Sequence, residues 1–123
     1  NRIIHGDCLD VMEKMIPDNS IDMIFTSPPY AERRKNVYGG VNEDLYVEWF
    51  KPIALELKRV MKPTASFFLN IKPHTKKGER SLYVFDLILS LKRELGSKFI
   101  DEFSWTKNPF PGQLKGRFKN IWF

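Results

Sequence analysis

Four consecutive residues, Ser27-Pro28-Pro29-Tyr30, concentrate the chemistry that this chain could perform, and they follow the apolar run Ile21-Asp22-Met23-Ile24-Phe25-Thr26. The run is short and rich in Ile and Phe, as a buried strand is. Proline donates nothing to a ladder and pushes the residue before it into extended geometry, so Ser27 and Pro28 form a stiff segment where the strand stops. Their carbonyls then lack local N–H partners. In an open α/β sheet, ligands bind outside the carboxyl ends of the strands, so these acceptors face the place of a substrate, with the flat ring of Tyr30 beside them. Two fixed acceptors and a stacking ring suit a planar molecule with an exocyclic amine, such as a nucleobase. A pair of prolines also serves simply to end a strand, and four residues alone do not separate the two readings.

The elements that must position this segment follow from periodicity. Ile3 and Ile4 predict a short strand that breaks at Gly6-Asp7, and Leu9, Met12 and Ile16 then recur at helical spacing toward Pro17. Asp7 stands where a helix N-cap would, and Cys8 reads as a core residue. Pro17-Asp18-Asn19-Ser20 is a turn by composition, so the first two strands would form a βαβ unit with a parallel pairing. From Asp44 to Lys62 the apolar residues, Trp49 and Phe50 among them, fall on one helical face, with Glu56, Lys58, Arg59 and Lys62 on the other. Pro52 either kinks that helix or marks its true start. Ala65 to Ile71 predicts a second buried strand, in which Asn70 is the odd polar residue and a candidate for the cleft. Lys72 to Arg80 reads as a basic loop. A further amphipathic helix spans Leu82 to Leu95 and stops at Gly96, and Phe99 to Thr106 predicts a strand with one exposed face.

The net charge of +5 and a pI near 9.4 favour an anionic partner, and two basic stretches are placed to meet one. Arg33, Arg34 and Lys35 leave the carboxyl end of the catalytic strand, ahead of a Gly39-Gly40 pair, and could neutralise phosphates flanking a base drawn into the pocket. The same run also suits a merely solvated face. In the tail from Trp105 to Asn120, Lys107, Lys115 and Arg117 alternate with aromatic residues, a pattern for stacking and phosphate contact that a surface loop would share. One cysteine excludes an internal disulfide, and two histidines without cysteine partners give no zinc site, so a reducing cytoplasm is the simpler setting. No apolar run approaches the ~18 residues that span a bilayer.

Ser-Pro-Pro-Tyr at a strand end resembles the catalytic motif of DNA methyltransferases that modify exocyclic amino groups. The serine is similar to the N4-cytosine branch, whereas the N6-adenine branch usually carries Asp there. Gly6-Asp7-Cys8-Leu9 before the strand, the Arg-Lys and Tyr-Gly pairs after the prolines, Arg59-Val60-Met61-Lys62-Pro63, and Trp105, Lys107, Asn108-Pro109, Pro111, Arg117 and Asn120 extend the likeness over nearly the whole chain. Thr64-Ala65 stand where such enzymes carry a glycine pair. The resemblance implies an incomplete α/β, three-layer Rossmann-like sheet, mostly parallel, with residues 1–123 as the catalytic part of one domain. It implies Ser27, Pro28, Pro29 and Tyr30 as catalytic residues, and Asp7 and Thr26 as contacts of the cofactor S-adenosylmethionine. Double-stranded DNA with a flipped target base is the implied partner, and a restriction-modification system the implied setting. None of the seven glycines forms a Gly-x-Gly turn after an apolar strand, so the donor's Gly-rich seat, and most of the target-recognition region, are expected beyond Phe123, in the permuted motif order. An adenine-N6 enzyme, or a nucleic-acid-binding module without catalysis, are the alternatives.

Overall fold

In a computed structural model, which describes residues 1–32, 40–106 and 118–122, helix α1 (Cys8–Met15) starts where Asp7 turns its carboxylate back onto the chain. Asp7 Oδ1 accepts from the Leu9 amide at 2.9 Å, satisfying one donor that a helix start leaves orphaned. Met12 is the residue that α1 buries. The expected strand at Ile3-Ile4 does not form: Ile3 is fully exposed, and two apolar residues make a strand only where a neighbouring backbone can pair with them. Cys8 is exposed as well, on the solvent side of α1, and not in the core.

Asn19, at φ 51°, turns the chain into β1 (Ile21–Thr26). A single helical turn at Glu43–Leu45, capped by the Asn42 side chain on the Asp44 amide at 3.0 Å, leads into α2 (Tyr46–Val60). Tyr46, Phe50, Ala54, Leu57 and Val60 form its buried stripe at the spacing of a helix. Pro52 lies inside α2 and does not mark its start. The polar face is less solvated than its composition implies. Arg59 donates to the carbonyls of Met12 at 2.8 Å and Ile16 at 3.1 Å, and pairs with Asp18 and Glu56, so it ties the end of α1 onto α2. Lys58 Nζ reaches the Leu95 carbonyl at 2.5 Å.

β2 (Met61–Ile71) follows directly and pairs parallel with β1, Ile24 opposite Phe67 and Thr26 opposite Leu69. The βαβ unit is therefore β1–α2–β2. The register slips between Ile21↔Met61 and Met23↔Ser66, so the extra residues, Pro63 among them, bulge from a strand that proline cannot serve as a donor. Lys72 to Arg80 is not a plain loop: β3 (Thr75–Lys76) and β4 (Glu79–Arg80) form a hairpin, closed by Lys77 at φ 51° and Gly78 at φ 84°. Helix α3 (Tyr83–Arg93) then ends at Gly96, φ 67°, where the Ser97 amide returns to the Leu91 carbonyl at 3.0 Å.

β5 (Glu102–Thr106) and β6 (Phe118–Trp122) complete a sheet of order β1-β2-β6-β5. The strand expected over Phe99 to Thr106 is thus present from Glu102 onward, whereas Phe118 to Asn120, read as part of a loop-like tail, lie in a strand. β6 runs antiparallel to each neighbour, which leaves β1, β2 and β5 pointing one way. The eleven residues from 107 to 117 fall short of the dozen or more that a parallel crossover needs, so β5 and β6 pair antiparallel. The three helices share one core with Leu69 and Ile71, against which Ile24 and Phe67 pack. On the other face of the sheet Met23 and Phe25 stay 62% and 61% exposed, and Phe103 and Trp105 remain open too. Two layers of the expected three are present among the described residues, in which no helix is long and apolar enough to cross a membrane.

Candidate active site at the carboxyl end of β1

The parallel register that sets Thr26 against Leu69 brings Ser27, the first residue past β1, level with Asn70 of β2. Asn70 Nδ2 donates to Ser27 Oγ at 3.4 Å, and Ser27 Oγ lies 3.2 Å from the Tyr30 hydroxyl, either of which can be the donor. Ser27 is exposed and Tyr30 half-buried, so a hydroxyl and a ring flank one opening. Asn70 is only 5% exposed, and its Oδ1 has no hydrogen-bond partner among the described residues. A buried acceptor left unpaired costs about 1–3 kcal/mol, so the site as it stands is short of a donor.

The helix layer braces the opening. Tyr46, wholly buried, donates from its hydroxyl to the Pro29 carbonyl at 2.7 Å. Its ring meets Tyr83 edge-on at 4.7 Å between centroids, and Tyr83 in turn donates to the Lys72 carbonyl just past β2 at 2.5 Å. Both strand ends are thereby held from below. Burial, reinforced by Tyr83 and Tyr30, pushes the Tyr46 hydroxyl far above its ordinary pKa, so it stays a donor. Of the carbonyls in the segment, that of Pro28 accepts no hydrogen bond among the described residues. The periodicity places Tyr46 in the core without distinguishing this role; the clue is that a tyrosine hydroxyl in a core position must find a partner.

Beyond Tyr30, Ala31 is buried and Glu32, at φ 58°, donates its amide to the Val41 carbonyl at 2.9 Å, so the chain on either side of residues 33–39 is tied together. Arg33, Arg34 and Lys35, like Lys107, Lys115 and Arg117, lie outside the described residues. The anchors of both stretches are nonetheless fixed. Thr106 opposes Phe118, and Ile71 opposes Asn120, so the segment from 107 to 117 leaves and re-enters the sheet on the rim that carries Ser27.

Thr26 ends β1 next to Ser27, while Asp7 sits on a separate element with one carboxylate oxygen engaged in capping α1. At Gly6 an added Cβ would lie 3.0 Å from Val11 Cγ2, a tight contact that a small shift of the Val11 side chain would have to relieve. A single glycine is still not the cradle of a methyl donor, and the residues present fit only one side of such a site. The Cys8 thiol is pushed up by desolvation and by Asp7, which disfavours its thiolate form.

A profile of the family described as DNA methylase, the N6- and N4-methyltransferases, matches residues 21–122. Type II methyltransferase M.PvuII of Proteus hauseri is 35% identical over 111 residues, 86% of this chain and 33% of that protein. DNA adenine methyltransferase YhdJ of Escherichia coli (strain K12) is 40% identical over 70 residues, 54% of this chain and 23% of that protein. The solved structure of PvuII DNA methyltransferase (cytosine-N4-specific) matches with a TM-score of 0.77 at 29% identity, over 95% of this chain and 46% of the other. The chain thus spans a third or less of the length of these two relatives.

Proposed function

Because this chain belongs to the DNA methylase family, we propose that at full family length it transfers a methyl group from S-adenosylmethionine to N4 of cytosine in double-stranded DNA, within a restriction-modification system. The base assignment rests on the serine of Ser-Pro-Pro-Tyr, which is similar to the N4-cytosine branch. The observation that supports amine chemistry at this place is the Ser27 hydroxyl held between Asn70 and Tyr30 at the carboxyl end of β1, beside the open carbonyl of Pro28. The lone pair of an exocyclic amine is delocalised into its ring and becomes nucleophilic as the nitrogen turns tetrahedral. Hydrogen bonds from that amine to Ser27 Oγ and to the Pro28 carbonyl favour the tetrahedral form, as acceptors fixed in advance do for developing positive charge. S-adenosylmethionine, when bound, supplies an electrophilic methyl on sulfur, with Asp7 and Thr26 as its proposed contacts in this chain. Methyl transfer would form the carbon–nitrogen bond as the carbon–sulfur bond of the donor breaks, leaving a neutral thioether, and the N4 proton would pass to solvent water, so no covalent enzyme intermediate is needed.

A target amine inside a duplex is out of reach, so the base must be flipped into the opening, where Tyr30 stacks on it. The basic stretches at Arg33, Arg34 and Lys35 and at Lys107, Lys115 and Arg117 would grip the flanking phosphates, a reading supported by their anchors on the catalytic rim. Similarity to an adenine enzyme keeps N6 of adenine as the second reading, since the same two acceptors serve either amine. Nucleoside mass spectrometry of DNA modified by the full-length enzyme separates them: N4-methylcytosine is expected, N6-methyladenine would establish the second, and no transfer at all would leave a binding module. Ser27→Ala should cut turnover far more than DNA affinity; unchanged turnover removes Ser27 from the chemistry.

A further inference from the structure

We propose that Asn70 is a positioning residue that sets the direction of the Ser27 hydroxyl, an inference that rests on the reading of Ser27 given above. A serine hydroxyl has one proton to give and two lone pairs with which to receive. Asn70 Nδ2 fills one lone pair, over a contact of 3.4 Å that is long in the way catalytic hydrogen bonds are before a ligand tightens them. The Tyr30 hydroxyl, 3.2 Å away, can act as either donor or acceptor. Were Tyr30 the donor as well, both lone pairs would be filled and Ser27 would meet an incoming amine with its own proton, donor against donor. With Asn70 donating, one arrangement accepts the amine: Ser27 gives its proton to the Tyr30 oxygen and turns its remaining lone pair toward the substrate nitrogen.

The burial of Asn70 points the same way. It sits between Leu69 and Ile71, both core residues, and projects to the opposite face of β2 from them. Packing alone would be met there by an apolar residue, with no amide to satisfy. The side chain is instead polar, almost wholly enclosed and in contact with Ser27, and its Oδ1 has no partner among the described residues, so it is suited to receive a hydrogen bond from a ligand in the opening. An amide also neither gains nor loses a proton near neutrality, so Asn70 acts as a fixed donor and takes no proton from the amine.

A double-mutant cycle in the enzyme of full family length tests this, with methyl transfer and DNA affinity both measured. Asn70→Leu should lower kcat roughly tenfold, the worth of one hydrogen bond, with little change in DNA affinity. In the Ser27→Ala background the same substitution should lower kcat no further. Equal losses in both backgrounds would show that Asn70 does not act through Ser27 and would overturn the proposal, whereas a Ser27→Ala enzyme with full activity would sink the reading of Ser27 itself. Asn70→Asp keeps the shape and serves if the leucine variant does not fold. Its ionised carboxylate accepts from Ser27 and cannot donate, so activity relative to wild type should be low at neutral pH and recover as the carboxyl is protonated. An Asn70→Asp enzyme as active as wild type at neutral pH would mean that the position calls for a base, and the proposal would fall.

Discussion

Tyr30 presents two separable groups, a ring at the opening and a hydroxyl 3.2 Å from Ser27 Oγ. Tyr30→Ala should lose about 1–3 kcal/mol of stacking on the flipped base, read as weaker fluorescence change from 2-aminopurine at the target position. Tyr30→Phe should keep that stacking and lose mainly turnover; equal damage to base capture in both variants would contradict the stacking role. The Ser27 segment was readable in the sequence because proline restricts backbone so strongly that two of them after an apolar run announce a strand end. Asn70 was readable only as an oddity, since a polar residue in a buried strand says that a partner exists without saying which. Tyr46 was not readable as a brace, because helical spacing reports which face is buried and not what a hydroxyl at the end of a buried ring will touch.

Among the elements, α2 carries most of the organisation. Tyr46→Phe should leave the edge-on ring contact with Tyr83 in place and release the Pro29 carbonyl, lowering stability by about 1 kcal/mol in chemical denaturation and turnover by more than that implies. Arg59→Ala should lower the melting temperature, and Arg59→Lys should restore only a fraction of it, because one ammonium cannot serve the Met12 and Ile16 carbonyls together with Asp18 and Glu56. A helical wheel assigns Arg59 to solvent since it knows nothing of α1. The β3–β4 hairpin depends on pH through Glu43, whose carboxyl is drawn below its ordinary value of 4.5 by a hydrogen bond with Ser81, then by Lys76 and His74, against the opposing effect of burial. A carboxyl with a lowered folded value contributes stability in full above the unfolded value, and loses it as pH falls through the folded one. Amide exchange at Ser81, whose N–H donates to the His74 carbonyl at 2.9 Å, should therefore quicken, beyond its intrinsic pH trend, below about pH 4.5, and Glu43→Gln should abolish that extra dependence. Patterning predicted the helices closely because each buries a periodic stripe, and it predicted β2 as the apolar run from Ala65 to Ile71, although the strand begins at Met61. It failed at Ile3-Ile4, where local preference had no ladder to join.

At the scale of the molecule, the helices cover one face of the sheet and the described residues leave Met23 and Phe25 open on the other. A contiguous apolar face of this kind is sticky. Residues 1–123 expressed alone should bind a hydrophobic dye and self-associate, and Met23→Lys with Phe25→Lys should suppress both without lowering the melting temperature; a monodisperse, dye-silent wild-type fragment would contradict this. Calorimetry should also find no tight binding of S-adenosylmethionine by the fragment, while the full-length enzyme binds it. The shared direction of β1, β2 and β5 was foreseeable from helices lying between strands, but the reversed β6 was hidden in a stretch whose Lys, Pro and Gly content resembles a loop.

The tyrosine pair under the opening also decides where an engineer could change this site. Moving the end of β1 away from the end of β2, to admit a bulkier base, would break the Tyr46–Pro29 and Tyr83–Lys72 hydrogen bonds or pull the two tyrosine rings away from each other, all within the core. The floor of the pocket is in that sense a fixed gauge. Broader substrate acceptance is better sought in the sequence between Glu32 and Val41, whose two ends are tied by a backbone hydrogen bond apart from these tyrosine contacts.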